Sequence, residues 1–324
     1  SCGCCETIPR SLLRGYSLPR PRKLDIVGKD TTYMEHKPLK IVGVMGLGMV
    51  GGSMFRYFEK TRGFVPGKTL FGFDPLKDGF TDAAPLQRAD VVFVAVPTPY
   101  LTGEDGKIGF DLSYVRKAIS SLEGSKIVVI KSTVLPGATD QLQQEFPRHK
   151  ILFNPEFLTE VSADQDMNYP DRQLIGHTEE SYNVATDVMH LLPMAPFERV
   201  MPAKEAEMVK YFGNTWFAAK VIFANQMYDM CQAIGVDYDV VKESAAADKR
   251  IGRSHLDVFH KGYRGYGGKC LPKDTRALIE LGDRLGVEMA LLKRVEELND
   301  TLVAAAAAQK ASEKSKEAPV PQPT

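Results

Sequence analysis

The sequence has little cysteine, no excess of either charge and no long apolar run. Its 324 residues include five cysteines, of which Cys2, Cys4 and Cys5 are clustered at the amino terminus. This spacing is neither a disulfide framework nor a paired zinc-ligand pattern, so we expect a reducing, cytoplasmic setting and no metal. The 41 basic residues balance 41 acidic ones. No overall field therefore favours nucleic acid or an anionic membrane as a partner.

The apolar runs are of strand length. The apolar run within residues 90–96 is far shorter than the ~20 residues that a membrane helix needs. Leu12 and Leu13 are followed at once by Arg14, too early for a secretory signal. Hydrophobic residues still make up 44% of the chain, which is enough for a globular protein with two domains.

Composition divides the sequence into four segments. Residues 1–38 are rich in Arg, Pro and Ser and predict a flexible extension, whereas residues 39–202 alternate apolar strands with helices. Residues 203–311 are helical in pattern, and residues 312–324 predict a disordered tail because they carry little apolar surface. The alternation is typical of an α/β fold with a Rossmann-like, doubly wound parallel sheet. An all-helical central or dimerisation domain is expected to follow it.

A glycine turn follows the first predicted strand and precedes the first predicted helix. It reads Gly46-Leu47-Gly48-Met49-Val50-Gly51. In a dinucleotide-binding fold the first glycine makes the turn, the second lets pyrophosphate approach the backbone, and the third allows close helix packing. The helix N-terminus adds N–H groups and partial positive charge for the phosphates.

The second predicted strand, residues 69–73, ends at Asp74. The fold places there the acidic residue that accepts hydrogen bonds from the adenosine ribose. Because a carboxylate repels a 2′-phosphate, the expected cofactor is NAD rather than NADP. The alternative for Asp74 is a turn residue before Pro75.

Loops after the next strands lead to the sheet edge where ligands lie. Pro97 and Thr98 follow one strand and Thr133 follows the next, so we expect them to meet the cofactor. The alternative for both threonines is helix N-capping. After the fifth strand come Glu156 and Glu160, which are four residues apart and can share a helix face. The alternative for this pair is a solvated surface.

Residues 203–233 are nearly free of helix breakers. A helix this long exceeds the ordinary ~10–14 residues, so it spans the molecule or forms an oligomer interface. Its apolar stripe predicts core or dimer packing. The stripe includes Met208, Phe212, Trp216, Ala219, Phe223 and Met227. Lys210 and Asn214, on another face, are spaced to present an ammonium and an amide to one ligand.

A glycine-rich stretch leads to Cys270 at the start of a helix predicted over residues 271–285. The helix dipole and the ammonium groups of Lys269 and Lys273 predict a thiol pKa below the free value of about 8.5. A nucleophilic cysteine is one interpretation. A small packed residue is the other.

Together these motifs resemble the UDP-glucose/GDP-mannose dehydrogenase family over residues 39–302. The segments that carry the resemblance are 46–51, 96–99, 131–137, 154–160, 170–172, Lys210 with Asn214, and 267–274. The segments 154–160 and 267–274 are the more specific, because related hydroxyacid dehydrogenases share the glycine turn and the Lys/Asn pair.

The resemblance implies a four-electron oxidation of the C6 alcohol of a nucleotide sugar to a carboxylate, with two NAD molecules used in succession. Cys270 would capture the intermediate aldehyde as a thiohemiacetal, which becomes a thioester and is hydrolysed. Lys210 and Asn214 would stabilise an oxyanion, and Asp274 would assist proton transfer. Thr133 and Glu160 would position water and substrate.

The resemblance also implies the binding residues. Cofactor contacts fall on Gly46, Gly48, Met49, Val50, Gly51, Asp74, Pro97, Thr98, Thr133 and Lys273. Substrate contacts fall on Glu156, Phe157, Leu158, Glu160, Lys210, Asn214, Phe259 and Gly267. A homodimer through residues 203–233 is expected.

The sequence departs from the family pattern in three places. Val161 stands where the family has glycine, and Lys77 and Gly79 do not reproduce its basic position after Asp74. An alanine run at 304–308 and a Pro-rich tail stand where the family continues into a C-terminal nucleotide-binding domain. Two further interpretations are therefore open: a dehydrogenase of smaller hydroxyl substrates, against which Cys270 argues, and an inactive NAD-binding, dimerising pseudoenzyme.

Overall fold

The computed structural model describes residues 39–102, 108–260, 262–268 and 270–316. The extension at 1–38 with its cysteine cluster, Lys269 and residues 317–324 lie outside these ranges, and the predictions made for them stay predictions. Within the described ranges, no helix is both long and apolar enough to cross a bilayer.

Seven strands form one sheet in the order β2-β1-β3-β6-β7-β8-β9. They are β1 (Val42–Met45), β2 (Leu70–Phe73), β3 (Val91–Val94), β6 (Ile127–Ile130), β7 (Lys150–Phe153), β8 (Arg172–His177) and β9 (Phe197–Pro202). All neighbours are parallel except β7 and β8. The predicted doubly wound sheet is confirmed, and its order reverses between β1 and β3. Ligands bind at that reversal, beyond the carboxyl ends of the strands.

Two short antiparallel hairpins accompany the sheet. One pairs β4 (Tyr100–Thr102) with β5 (Ile108–Phe110), and the other pairs β10 (Phe259–His260) with β11 (Tyr263–Arg264). Neither was predicted, because strands of two or three residues are too short to show a period-two pattern.

Helices cover both faces of the sheet and make up most of the described residues after β9. They are α1 (Met49–Arg56), α2 (Ser113–Ser120), α3 (Ala138–Glu145), α4 (Ala163–Asn168), α5 (Tyr182–Leu191), α6 (Ala203–Ile234), α7 (Tyr238–Ala246), α8 (Leu271–Leu285) and α9 (Ala290–Lys316). The predicted bounds of α8 are confirmed. The last helix continues to Lys316, five residues into the predicted disordered tail.

Helix α6 begins directly after β9 and ends at Gly235, whose φ of 74° is left-handed. One side of it packs against the sheet, α3, α8 and α9. The large members of the predicted stripe lie on the other side, with Phe212 69%, Trp216 56% and Phe223 58% exposed. The prediction that these three residues pack in the core of the chain is therefore wrong. The other alternative, packing in a dimer interface, stays a prediction.

The glycine turn has the geometry that its spacing predicts. Gly46 has a φ of 82°, and a Cβ on Gly51 would lie 1.8 Å from the carbonyl oxygen of Gly46. A Cβ on Gly48 would meet nothing within 4 Å. The third glycine thus permits contact between helix and strand, while the second leaves space in front of the backbone.

These two glycines give a matched pair of substitutions. Gly51→Ala places a methyl group against the backbone carbonyl of Gly46, so we expect a loss of unfolding free energy of roughly 3 kcal/mol or more. Gly48→Ala should change it by no more than about 1 kcal/mol, because the added methyl group enters open space. Urea denaturation of both variants measures the difference, and equal losses would contradict the assignment.

Candidate active site

A buried ion pair connects helix α6 to the loop after β7. The Lys210 ammonium donates to the Glu156 carboxylate at 2.8 Å and to the Glu156 backbone carbonyl at 2.7 Å. Both side chains are nine-tenths buried or more. Burial alone would raise the pKa of Glu156, but the charge and hydrogen bond of Lys210 and the Leu158 N–H lower it below its ordinary value. Glu156 is therefore an anion that holds a cation in place.

One turn further along α6, a second buried contact reaches helix α8. The Asn214 amide donates to the Asp274 carboxylate at 2.5 Å, and the Lys273 ammonium donates to its other oxygen at 2.6 Å. Asp274 is 1% exposed. Its backbone N–H donates to the carbonyl of Cys270, the residue that precedes α8. The structure thus brings Lys210, Asn214, Asp274 and Cys270 together, although the sequence separates them widely.

The predicted lowering of the Cys270 pKa is wrong. The residue is exposed overall, yet the protein around its sulfur excludes enough water that burial raises the thiol pKa above its ordinary value. The carboxylates of Glu156 and Asp274 add to this increase, while Lys210 and Lys273 oppose it. The ammonium of Lys273 is itself paired with the Asp274 carboxylate. It therefore lowers the thiol pKa by less than the sequence suggests.

The loop that carries Glu156 and Glu160 differs from the prediction. Residues 154–159 are irregular and α4 begins only at Ala163, so the two carboxylates do not share a helix face. Glu156 is buried, whereas Glu160 is exposed. Phe157 carries the guanidinium of Arg172 over its ring, 3.9 Å from the centroid. Leu158 is half-buried against the sheet core.

The expected cofactor residues lie at the reversal of strand order. The Asp74 carboxylate accepts from the Leu47 N–H at 2.8 Å, inside the glycine turn, and from the Leu76 N–H at 3.0 Å. Asp74 is therefore a turn residue that also lies beside the glycine turn, and its contact with the adenosine ribose stays a prediction. Lys77 donates to the Leu47 carbonyl. At the start of α1, Gly48 and Met49 are exposed and Val50 is half-buried.

The two threonines are not helix caps. Helix α2 is preceded by Leu112 and helix α3 by Gly137. Instead, the Thr98 hydroxyl donates to the Thr133 carbonyl at 2.9 Å and joins the loops after β3 and β6. Pro97 beside it is exposed.

Glu207 of α6 fixes the loop that contains Thr133. Its buried carboxylate accepts from the Gly137 N–H at 2.5 Å and from the N–H and hydroxyl of Thr139 at 2.8 and 2.6 Å. Burial raises the pKa of Glu207 to about 7 against the effect of these donors. Helix α6 thus positions the loops after both β6 and β7.

Lys131 and Asn154 lie in segments that carry the family resemblance, but no role was predicted for either residue. The Lys131 ammonium is buried at the end of β6 and donates to the Asn154 side-chain oxygen at 2.8 Å. A lysine that ends an apolar strand at the ligand edge was the available signal. Its partner, 23 residues away along the chain, could not be read from the sequence.

Three expected contacts are less closely connected to this site. Phe259 is 59% exposed and its ring meets Tyr228 edge-on. A Cβ on Gly267 would lie 2.5 Å from the Tyr263 hydroxyl oxygen. The Lys273 ammonium lies 4.6 Å from the centroid of Phe110. Their roles toward substrate and cofactor stay predictions.

Two parts of the chain match one protein family. Residues 204–301 match the central domain of the UDP-glucose/GDP-mannose dehydrogenase family, and residues 78–191 match its NAD-binding domain. The chain belongs to this family. The resemblance drawn from the motifs is therefore confirmed. NAD, predicted from the glycine turn and Asp74, is confirmed by the second match, and the open space at Gly48 fits a phosphate group there.

Individual relatives agree with the family match. The UDP-glucose 6-dehydrogenase of Pseudomonas aeruginosa is 37% identical over 230 residues, which cover 66% of this chain and 49% of that protein. UDP-glucose 6-dehydrogenase TuaD of Bacillus subtilis is 34% identical over 236 residues, which cover 68% of this chain and 49% of that protein. A solved UDP-glucose dehydrogenase from Pyrobaculum islandicum superposes with a TM-score of 0.65 at 31% identity, covering 83% of this chain and 69% of that one. The chain spans about half the length of these curated relatives.

The electrostatics of Cys270 predict the pH dependence of its alkylation. Because the thiolate is the reacting form and its pKa is raised, the iodoacetamide rate should still be increasing above the free thiol pKa of about 8.5. Glu156→Gln removes a charge that raises this pKa, so the profile should move down by about one pH unit. Mass spectrometry of the Cys270 peptide follows the reaction.

Glu145→Gln is the matched control. Glu145 also pairs with a cation, Arg116, but on the surface, so this variant should leave the profile unchanged. A half-maximal rate below pH 8 in the unsubstituted protein would contradict the raised pKa.

Proposed function

We propose that this chain carries the catalytic centre of an NAD-dependent nucleotide-sugar 6-dehydrogenase, which oxidises the C6 alcohol of a UDP-glucose-like substrate to the carboxylate. One observation carries the proposal. An exposed thiol stands beside a buried ammonium, Lys210, and a buried amide–carboxylate pair, Asn214 and Asp274. A dehydrogenase that stops at the aldehyde has no use for a thiol, whereas a four-electron oxidation needs one to retain the aldehyde.

The first oxidation removes a hydride and a proton from the C6 alcohol. NAD, when bound, accepts the hydride. The hydroxyl proton passes to Asp274, whose carboxylate is oriented by Asn214 and Lys273. The Lys210 ammonium, already desolvated and fixed by Glu156, stabilises negative charge that develops on the C6 oxygen. No reorganisation of Lys210 is needed at the moment of reaction.

The second half passes through Cys270. Its thiolate adds to the aldehyde carbon and forms a thiohemiacetal, whose oxyanion lies beside Lys210 and Asn214. Bound NAD would take the second hydride as it takes the first, so that Cys270 would hold the product as a thioester, and water positioned by Thr133 and Glu160 would release the carboxylate and the thiol. The raised pKa of Cys270 in the free protein means that the thiol is mostly protonated until its surroundings change. The proton that Asp274 accepts in the first oxidation neutralises one of the carboxylates that raise this pKa, which favours the thiolate.

The proposed stoichiometry is two NADH per sugar. We expect the protein, incubated with NAD and limiting UDP-glucose, to yield two NADH per sugar consumed, measured by absorbance and by chromatography of the sugar. Cys270→Ser should lower formation of the acid by at least about a thousandfold, because serine is a far weaker nucleophile at neutral pH.

Cys231→Ser is the control, since Cys231 is buried beside Tyr238 and away from the site. The Cys231→Ser variant should still form two NADH per sugar consumed. One NADH from a small alcohol would support the smaller-substrate interpretation. NAD binding without any turnover would support the pseudoenzyme.

We further propose that residues 203–311 form a dimerisation domain and that two copies meet through α6. Its outer face exposes Phe212, Trp216 and Phe223, more apolar surface than isolated exposed side chains usually give. A cleft of about 330 Å³ beside Phe212, lined also by Arg172 and Met208, could receive side chains of a second copy. A cytoplasmic location stays a prediction, and from the family resemblance we also propose a role in polysaccharide biosynthesis.

Charged substitutions on this face test the dimer. Trp216→Glu should convert a dimer to a monomer in sedimentation velocity at micromolar concentration, because a carboxylate would be buried without a partner. Tyr182→Glu is the control on an exposed aromatic residue of α5 and should sediment like the unsubstituted chain. A monomeric unsubstituted chain would contradict the proposal.

A further inference from the structure

Lys131 is a buried lysine that the proposed chemistry does not use. It is 5% exposed at the carboxyl end of β6, two residues before Thr133. Among the described residues, its ammonium donates to one protein oxygen, the side-chain carbonyl of Asn154. Burying an ammonium costs free energy unless the charge is paired and hydrogen-bonded. A buried lysine beside the active site therefore suggests a function for its charge.

The orientation of Asn154 is determined by its other hydrogen bonds. Its amide nitrogen donates to the Gln173 side-chain oxygen at 2.8 Å and to the Leu174 carbonyl at 2.7 Å. Both amide hydrogens are thereby occupied by partners on β8. The oxygen of Asn154 must then face Lys131.

The segment Asn154-Pro155-Glu156 is held by a lysine at each end. Lys131 holds the side chain of Asn154, and Lys210 holds both the backbone carbonyl and the carboxylate of Glu156. All three residues of the segment are buried, and Pro155 between them has a fixed φ. A displacement at Asn154 is therefore passed to Glu156.

We propose that Lys131 is a positioning residue of the reaction, which acts through Asn154 and Glu156 to hold the Lys210 ammonium in place. Lys131 does not touch the reacting atoms in this proposal. It holds Asn154 at one end of the segment, and Glu156 at the other end binds Lys210.

The charges support the same connection. Burial lowers the pKa of Lys131 to about 8, and the Glu156 carboxylate opposes this change while Lys210 adds to it. In return, Lys131 is among the groups that lower the pKa of Glu156. Lys131 and Lys210 thus both interact electrostatically with the buried carboxylate of Glu156. Loss of either ammonium changes the interaction of Glu156 with the other.

The test uses the full chain and the reactivity of Cys270, which requires no turnover. Glu156 raises the Cys270 pKa more than Lys210 lowers it, so displacement of the Glu156–Lys210 pair should lower this pKa and increase the thiolate fraction. We expect Lys131→Met to alkylate at Cys270 at least threefold faster with iodoacetamide at pH 7.5. In the Glu156→Gln background, Lys131→Met should add nothing, because its effect passes through Glu156.

Lys126→Met is the matched control. Lys126 lies just before the opposite end of β6 and donates to the carbonyls of Gln87 and Ala89, so its loss removes comparable hydrogen bonds without touching the segment at Asn154. This variant should alkylate at the unsubstituted rate. If Lys131→Met does not fold, as judged by circular dichroism, Lys131→Ser carries the same test, since its short side chain loses both the charge and the hydrogen bond to Asn154 while leaving room for water.

Additive effects of Lys131→Met and Glu156→Gln, or an unchanged alkylation rate, would overturn the proposal. The catalytic consequence rests on the proposed function: Lys131→Met should lower kcat by about tenfold or more while the NAD dissociation constant stays unchanged. If the unsubstituted chain forms no NADH from any nucleotide sugar, the proposed function fails. The alkylation experiment still decides the role of Lys131.

Discussion

The site depends on the buried ion pair between Lys210 and Glu156. It connects the longest helix of the protein to the sheet edge, because Lys210 belongs to α6 and Glu156 follows β7. Leaving either charge buried without its partner would cost about 3–5 kcal/mol. The pair therefore fixes the position of helix α6 relative to the sheet. Two further buried contacts fix α6 to its neighbours, that of Asn214 with Asp274 in α8 and that of Glu207 with Thr139 at the start of α3.

This arrangement sets the chemistry of Cys270. The thiol stands among two carboxylates and two ammonium groups, and the balance in the free protein favours the neutral form. A nucleophile that is inactive until substrate alters its surroundings is protected from oxidation and from wrong electrophiles, since reactivity follows the thiolate. In the proposed reaction, the ammonium that stabilises an oxyanion on C6 also promotes the thiolate, which links oxidation and covalent capture through Lys210.

Local spacing was enough to predict the parts of the site that local structure determines. The glycine turn, Asp74 at the end of β2 and Cys270 at the start of α8 lie where the sequence predicts, since each depends on its own strand or helix. The partnership of Lys131 with Asn154 and the raised pKa of Cys270 depend on residues far away along the chain. The capping role of Thr98 failed for the same reason, because its hydroxyl finds a partner 35 residues away.

The most direct measurement looks for sugar bound to Cys270 during turnover. The full chain is mixed with NAD and UDP-glucose, quenched in acid within milliseconds, digested and analysed by mass spectrometry. The account predicts a transient Cys270 peptide that carries the oxidised nucleotide sugar as a thioester and disappears as the carboxylate accumulates. Formation of the carboxylate without any adduct on Cys270 at any time point would contradict it.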